Sequence, residues 1–186
     1  MSPQLQNLPI RTTLDFDAQK ALETLLYVAK KLPSHTKYWV FKAIYFADKR
    51  HLQRYGRFVY GDQYVAMRLG PVPSGARDFV IAADEGANPW CGDIEAAISS
   101  MQIEGNRIVP LRDPDMTHFS KSDLECLDEA IEEVRPLDFE TLMRRSHDGA
   151  YHSADRNDFM SIESIASLFP NSHELLSYIK DPAPSE

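Results

Sequence analysis

One charged residue stands where a helix would bury it, and it is the first candidate for chemistry. Asp48 falls in the row Phe41, Ile44, Tyr45, Asp48, Leu52 and Tyr55, which has the spacing of one helix face. A carboxylate on such a stripe is costly unless it is paired or hydrogen-bonded. It could act as a general base or a ligand. It could equally be a clamp, accepting backbone N–H bonds from a nearby turn or pairing with Lys42, Lys49 or Arg68. No second acid lies close by in sequence to form a carboxylate dyad, so the clamp is the expected role.

Other chemistries find weaker footing. His147 and His152 are spaced i,i+5 with Gly149 between them, whereas a helical metal pair needs i,i+4 on one face. Gly70-Pro71-Val72-Pro73 is stiff, but it lacks the further glycines and the Lys of a phosphate loop. No GxSxG elbow is present, and Cys91 and Cys126 share no CxxC motif. Neither a cofactor nor a metal is expected, and the chain does not read as an enzyme. The enzymatic alternative would pair Asp48 with His51 or His147 in a cleft.

Composition narrows the partners. The 186 residues carry 28 acidic and 20 basic side chains, a formal net charge of −8. That balance disfavours a non-specific nucleic-acid binder, which needs clustered Lys and Arg; Arg144-Arg145 with Lys121 is too sparse a patch. No long apolar run and no apolar leader is seen, so a cytoplasmic protein without a membrane partner is expected.

The elements that must position these residues are mostly helices. Asp15 or Asp17 caps a helix to about Leu32, and Thr36 caps a second to Tyr55, with Gly56 at the stop position. Phe58–Tyr60 and Gln63–Met67 flank Gly61-Asp62 and suggest a short hairpin or a pair of extended pieces, followed by a rigid turn over 69–73. Ser74 opens a helix to Glu85, and a short helix over 93–100 precedes a second hairpin around Glu104-Gly105-Asn106. Ser120 and Asp123 form a capping box for a helix to Arg135. Asp138 caps another to about Asp148, stopped by Gly149, and Ser161 and Ser172 cap two short final helices. The expected fold is mainly α with a small antiparallel β element: one compact domain of about seven or eight helices over 15–180, with flexible segments at 1–14 and 181–186.

Aromatic residues crowd the second helix. Tyr38, Trp39 and Phe46 cannot all share the face of Ile44, since the helix turns by about 100° per residue. Some must point the other way, and an exposed aromatic set is the usual anchor of a protein interface. Tyr38, Trp39, Phe46, Arg144 and Arg145 are therefore the candidate partner contacts.

The run Lys42-x-x-Tyr45-x-x-Asp48, then Tyr55-Gly56, then Tyr64-x-Ala66, then Gly70-Pro71-Val72, resembles the signature of the Panacea domain of SocA-like antitoxins. Leu142–His147 is similar to that family's late helix ending in His, and Ser120 with Asp123 to the capped helix before it. The resemblance runs from about Asp17 to Leu168. It implies an antitoxin that binds a toxin encoded beside it, with no catalytic residue assigned. One branch of the family delivers its toxin to a protease, so a proteolytic adaptor is the alternative. A DNA-binding autoregulator fits least, for want of a basic recognition helix.

Overall fold

The computed structural model describes residues 15–34, 36–87 and 93–181. The expectations for 1–14, for 182–186 and for Cys91 lie outside the described residues.

The described chain is mainly helical, with helices α1 (Ala18–Lys31), α2 (Lys37–Tyr55), α3 (Ser74–Glu85), α4 (Ile94–Ser100), α5 (Lys121–Val134), α6 (Phe139–Ser146), α7 (Gly149–His152), α8 (Ile162–Ala166) and α9 (Ser172–Lys180). Two antiparallel hairpins complete it: β1 (Tyr64–Met67) with β2 (Gly70–Pro73), and β3 (Met101–Glu104) with β4 (Arg107–Pro110). Caps fix most helix starts. Asp17 accepts from the Lys20 N–H, Asp138 from Thr141 and Ser161 from Ser164, while Ser120 and Asp123 close a reciprocal capping box.

The axis of the fold is α2. Every residue from Val40 to Asp48 is buried, so the helix is wrapped on all sides. It packs most extensively on α5, and also on β2, α1 and α8. Arg54 holds Glu129 through both guanidinium nitrogens, and Arg50 pairs with Glu133, stitching the α2–α5 seam. The seam ends at Gly56, whose φ of 71° is the left-handed stop that glycine adopts freely. The Tyr178 ring lies over Gly56, where an added Cβ would sit 2.6 Å from the ring.

The first hairpin lies further along the chain than the sequence suggests. Residues 57–63 are irregular, and the segment expected to be a rigid turn is strand β2, paired Ala66↔Pro71 and Met67↔Gly70. Prolines read as turn formers, but Pro71 and Pro73 alternate with Gly70 and Val72, so the two missing N–H groups fall on one edge of the strand. That edge faces away from β1. Ala66, opposite Pro71, likewise turns its backbone outward, to Asn157 and Asp158. Prolines at such positions cost the ladder nothing. A second difference is at Gly149, which opens α7 rather than stopping α6, because the Asp148 carboxylate caps the Ala150 and Tyr151 N–H groups. The last helix is capped at Asn171, with Ser172 as its first residue.

Candidate partner-binding site

The motif residues meet at two buried polar centres, both joining α2 to the first hairpin and its approach. At the first, Asp48 is fully buried. It accepts the Val59 N–H at 2.7 Å and the Tyr64 hydroxyl at 2.6 Å. Burial pushes its carboxyl up to about 7, against the pull of the Tyr64 and Val59 bonds. A second acid does stand near it. Asp62, invisible as a partner in the sequence, is also buried and accepts from Gly75, Ala76 and Gln63, so it caps the start of α3 from outside the helix. Burial pushes the Asp62 carboxyl up to about 6. Both acids are occupied by donors of the fold, and the clamp through a nearby turn describes Asp48.

The second centre is Lys42, also fully buried. Its amine donates to the Pro71 carbonyl at 2.7 Å, on the open edge of β2, and sits 4.8 Å from the centre of the Tyr38 ring. Burial pushes this amine down to about 7. Gly70 makes the approach possible: at φ 103°, its absent Cβ would lie 2.6 Å from Ser146 Oγ and 3.1 Å from Lys42 Nζ. Tyr45, one turn beyond Lys42, donates to Asp148, which also takes Lys49 at 2.6 Å. His147 stacks on Tyr151 with ring centres 4.1 Å apart. Its Nε2 is buried without a hydrogen-bond partner among the described residues, and burial with the Lys42 charge lowers its pKa. Ala66 and Val72 are buried between these centres, whereas Tyr55 is 43 % exposed.

A third cluster looks catalytic by residue type and is not so by geometry. His51 Nε2 meets Asp123 Oδ1 at 3.1 Å and Ser122 Oγ at 3.3 Å, while Nδ1 faces the Arg57 carbonyl at 2.9 Å. A relay needs the serine and the acid on opposite ring nitrogens; here both share one. Asp123 also takes Lys20 at 2.6 Å and the Ser120 N–H. Burial would raise its pKa, but the bonds from His51, Lys20 and Ser120 hold it below the ordinary carboxylate range. Among the described residues, no group of three or more His, Cys, Asp or Glu side chains could hold a metal ion. No helix in them is long and apolar enough to cross a membrane.

A groove of about 590 Å³ opens to solvent at the N-terminal end of α2. Tyr38 and Trp39 pack edge to face at 5.6 Å, and Phe139 of α6 leans on Tyr38 at 4.9 Å. The Tyr38 hydroxyl donates to Leu69 O and the Trp39 indole to Leu137 O, which fixes both rings. Phe139 is 42 % exposed. Lys42 and Val72 form the floor, with Arg68, Arg77 and Lys37 around the rim. Of the five residues expected at an interface, the structure brings Tyr38 and Trp39 together here. Phe46 is only 6 % exposed and belongs to the core, because α2 is covered on the side that the sequence left open. Arg144 and Arg145 are exposed on α6, with Arg145 turned to Glu133 at 3.4 Å. The sequence reading missed Phe139, although it lies in phase with the buried Leu142 and Ser146 and so shares their side of α6.

Fold and site thus define a small helical protein whose charged motif residues lock a hairpin onto a central helix. The family described as antitoxin SocA-like, Panacea domain, matches residues 40–150, more than half of the chain, and the chain belongs to that family. The matched span contains Lys42, Asp48, Asp62 and Gly70 with α5 and α6, and stops short of the wider range suggested by the motifs. No curated protein and no solved structure matches the chain.

Proposed function

We propose that this chain is an antitoxin that neutralises a cognate toxin, encoded by a neighbouring gene, through direct protein–protein binding and without turnover. The observation that carries the reading, beyond family membership, is where the motif's charge goes. Lys42 and Asp48 are both 0 % exposed and bonded to the fold's own backbone, so neither is free to act on a substrate. The half-exposed aromatic cluster at the start of α2 supports a binding role, since rigid aromatic side chains are the usual anchors of tight interfaces.

The test is co-expression. A toxin-like reading frame beside this gene should arrest growth when expressed alone. Growth should return when this chain is present, and the two proteins should co-purify. Rescue with no complex would overturn the reading.

A further inference from the structure

The groove at the start of α2 has an electrostatic character opposite to that of the protein around it. The whole chain carries 28 acids to 20 bases, yet no acid among the described residues lines the groove. Lys37, Arg68 and Arg77 stand at its rim. Among the described residues, none of these three side chains forms an ion pair or a hydrogen bond. Cations elsewhere are mostly engaged: Arg54 and Arg50 on α5, Arg112 on Glu23, Lys49 on Asp148, Lys20 on Asp123. In a protein with spare acids, unpaired cations gathered around an aromatic floor are a feature to be explained by what they meet.

We infer that this groove receives an acidic segment of the partner protein, with an apolar or aromatic side chain seated against Tyr38, Trp39 and Phe139 and carboxylates meeting Lys37, Arg68 and Arg77. The identity of that partner as the toxin rests on the function proposed above; the chemistry of the groove does not. An apolar anchor fits because hydrogen bonds hold Tyr38 and Trp39, and Phe139 packs on Tyr38, so the rings lose little freedom when covered. Carboxylates fit because guanidinium groups bind them with two parallel donors. The net charge of −8 favours a short acidic segment over a polyanion such as nucleic acid, whose extended phosphate run the protein as a whole would repel. This explains how an acidic antitoxin binds a partner without relying on its net charge. The rim supplies the local attraction and hence the rate of encounter.

The test uses the purified full chain against a displayed library of random dodecamer peptides. Acidic peptides with an aromatic or large aliphatic residue should be enriched. The best of them, labelled and measured by fluorescence anisotropy, should bind Arg68→Glu/Arg77→Glu about tenfold or more weakly, and Phe139→Ala more weakly as well. Affinity for Lys121→Glu, on α5 outside the groove, should be unchanged, and affinity for the wild type should fall as salt rises. Enrichment of basic peptides, no enrichment, or acidic peptides that bind the double variant normally would each overturn the inference. So would tighter binding of a single-stranded oligonucleotide at the same rim, or self-association of the chain that the double variant abolishes. The selection needs no toxin, so failed rescue with a bound acidic peptide would refute the antitoxin reading alone. Rescue with no peptide preference would refute the groove alone.

Discussion

The two ends of α2 are built for different purposes. Around Asp48 and His51, near its C-terminal end, every partner is internal: the Val59 N–H, the Tyr64 hydroxyl, the Arg57 carbonyl and the Asp123 carboxylate. Around Tyr38 and Trp39, at its N-terminal end, the rings are held but half open, and the nearby cations have nothing to pair with among the described residues. Lys42 sits between, buried like the first region and flooring the second. The difference separates residues that make the fold from residues proposed to meet a partner, although both sets lie within one motif-rich helix. Charge at a motif position is thus no guide to catalysis when the fold consumes it.

Substitutions can break this division or sharpen it, and the largest effect is expected at Asp48. Asp48→Ala leaves the Val59 N–H and the Tyr64 hydroxyl buried and unpaired, at a cost of about 3 kcal/mol. Thermal unfolding reads this directly, and an unchanged melting temperature would refute the clamp. Gly70→Ala is next. It forces a side chain into φ 103° and against Ser146 Oγ, for a loss of about 2 kcal/mol, measured in the same way.

A third expectation concerns pH. Asp48 and Asp62 are raised by burial to about 7 and about 6, so their protonated forms are favoured in the folded state. The stability they contribute is full below the ordinary carboxylate value of 3.8 and is lost as pH rises through those raised values. Lys42, lowered by burial to about 7, acts in the opposite sense on the alkaline side. Its penalty is full below about 7 and relieved as pH climbs toward 10.5. Asp48→Asn, which keeps an acceptor for Val59, should therefore flatten the decline in melting temperature between about pH 4 and about pH 8. An unaltered slope would place the titration elsewhere. The smallest expected effect on stability is at Phe139, where Phe139→Ser should cost about 1 kcal/mol through lost ring contacts while weakening the complex.

Much of this division was legible in the sequence, and the part that was not has a physical reason. Thr36 and Gly56 marked the ends of α2, and Ser120 with Asp123 marked the start of α5, because caps are local chemistry. Asp48 announced itself as the one charge in an apolar row. Its partners did not: Val59 and Tyr64 lie in a stretch whose hairpin was placed too early, since the prolines of β2 imitate a turn until the direction of their missing N–H groups is known. Asp62 and the His51–Asp123 contact depend on elements brought together from far along the chain. The sequence carries no sign that Phe46 is buried, because a helix segment wrapped on every side has no polar face to betray its orientation. The groove was half legible, through Tyr38 and Trp39; Arg68, Arg77 and Phe139 come from three other segments.

The central claim, neutralisation by binding rather than by turnover, is tested most directly by titrating the purified chain into a fixed amount of its active toxin and recording residual toxicity. Direct binding predicts a linear fall that ends at about one chain per toxin-binding site. Protection of an excess of toxin, or of its target, by trace amounts of the chain would contradict it and make the protein an enzyme.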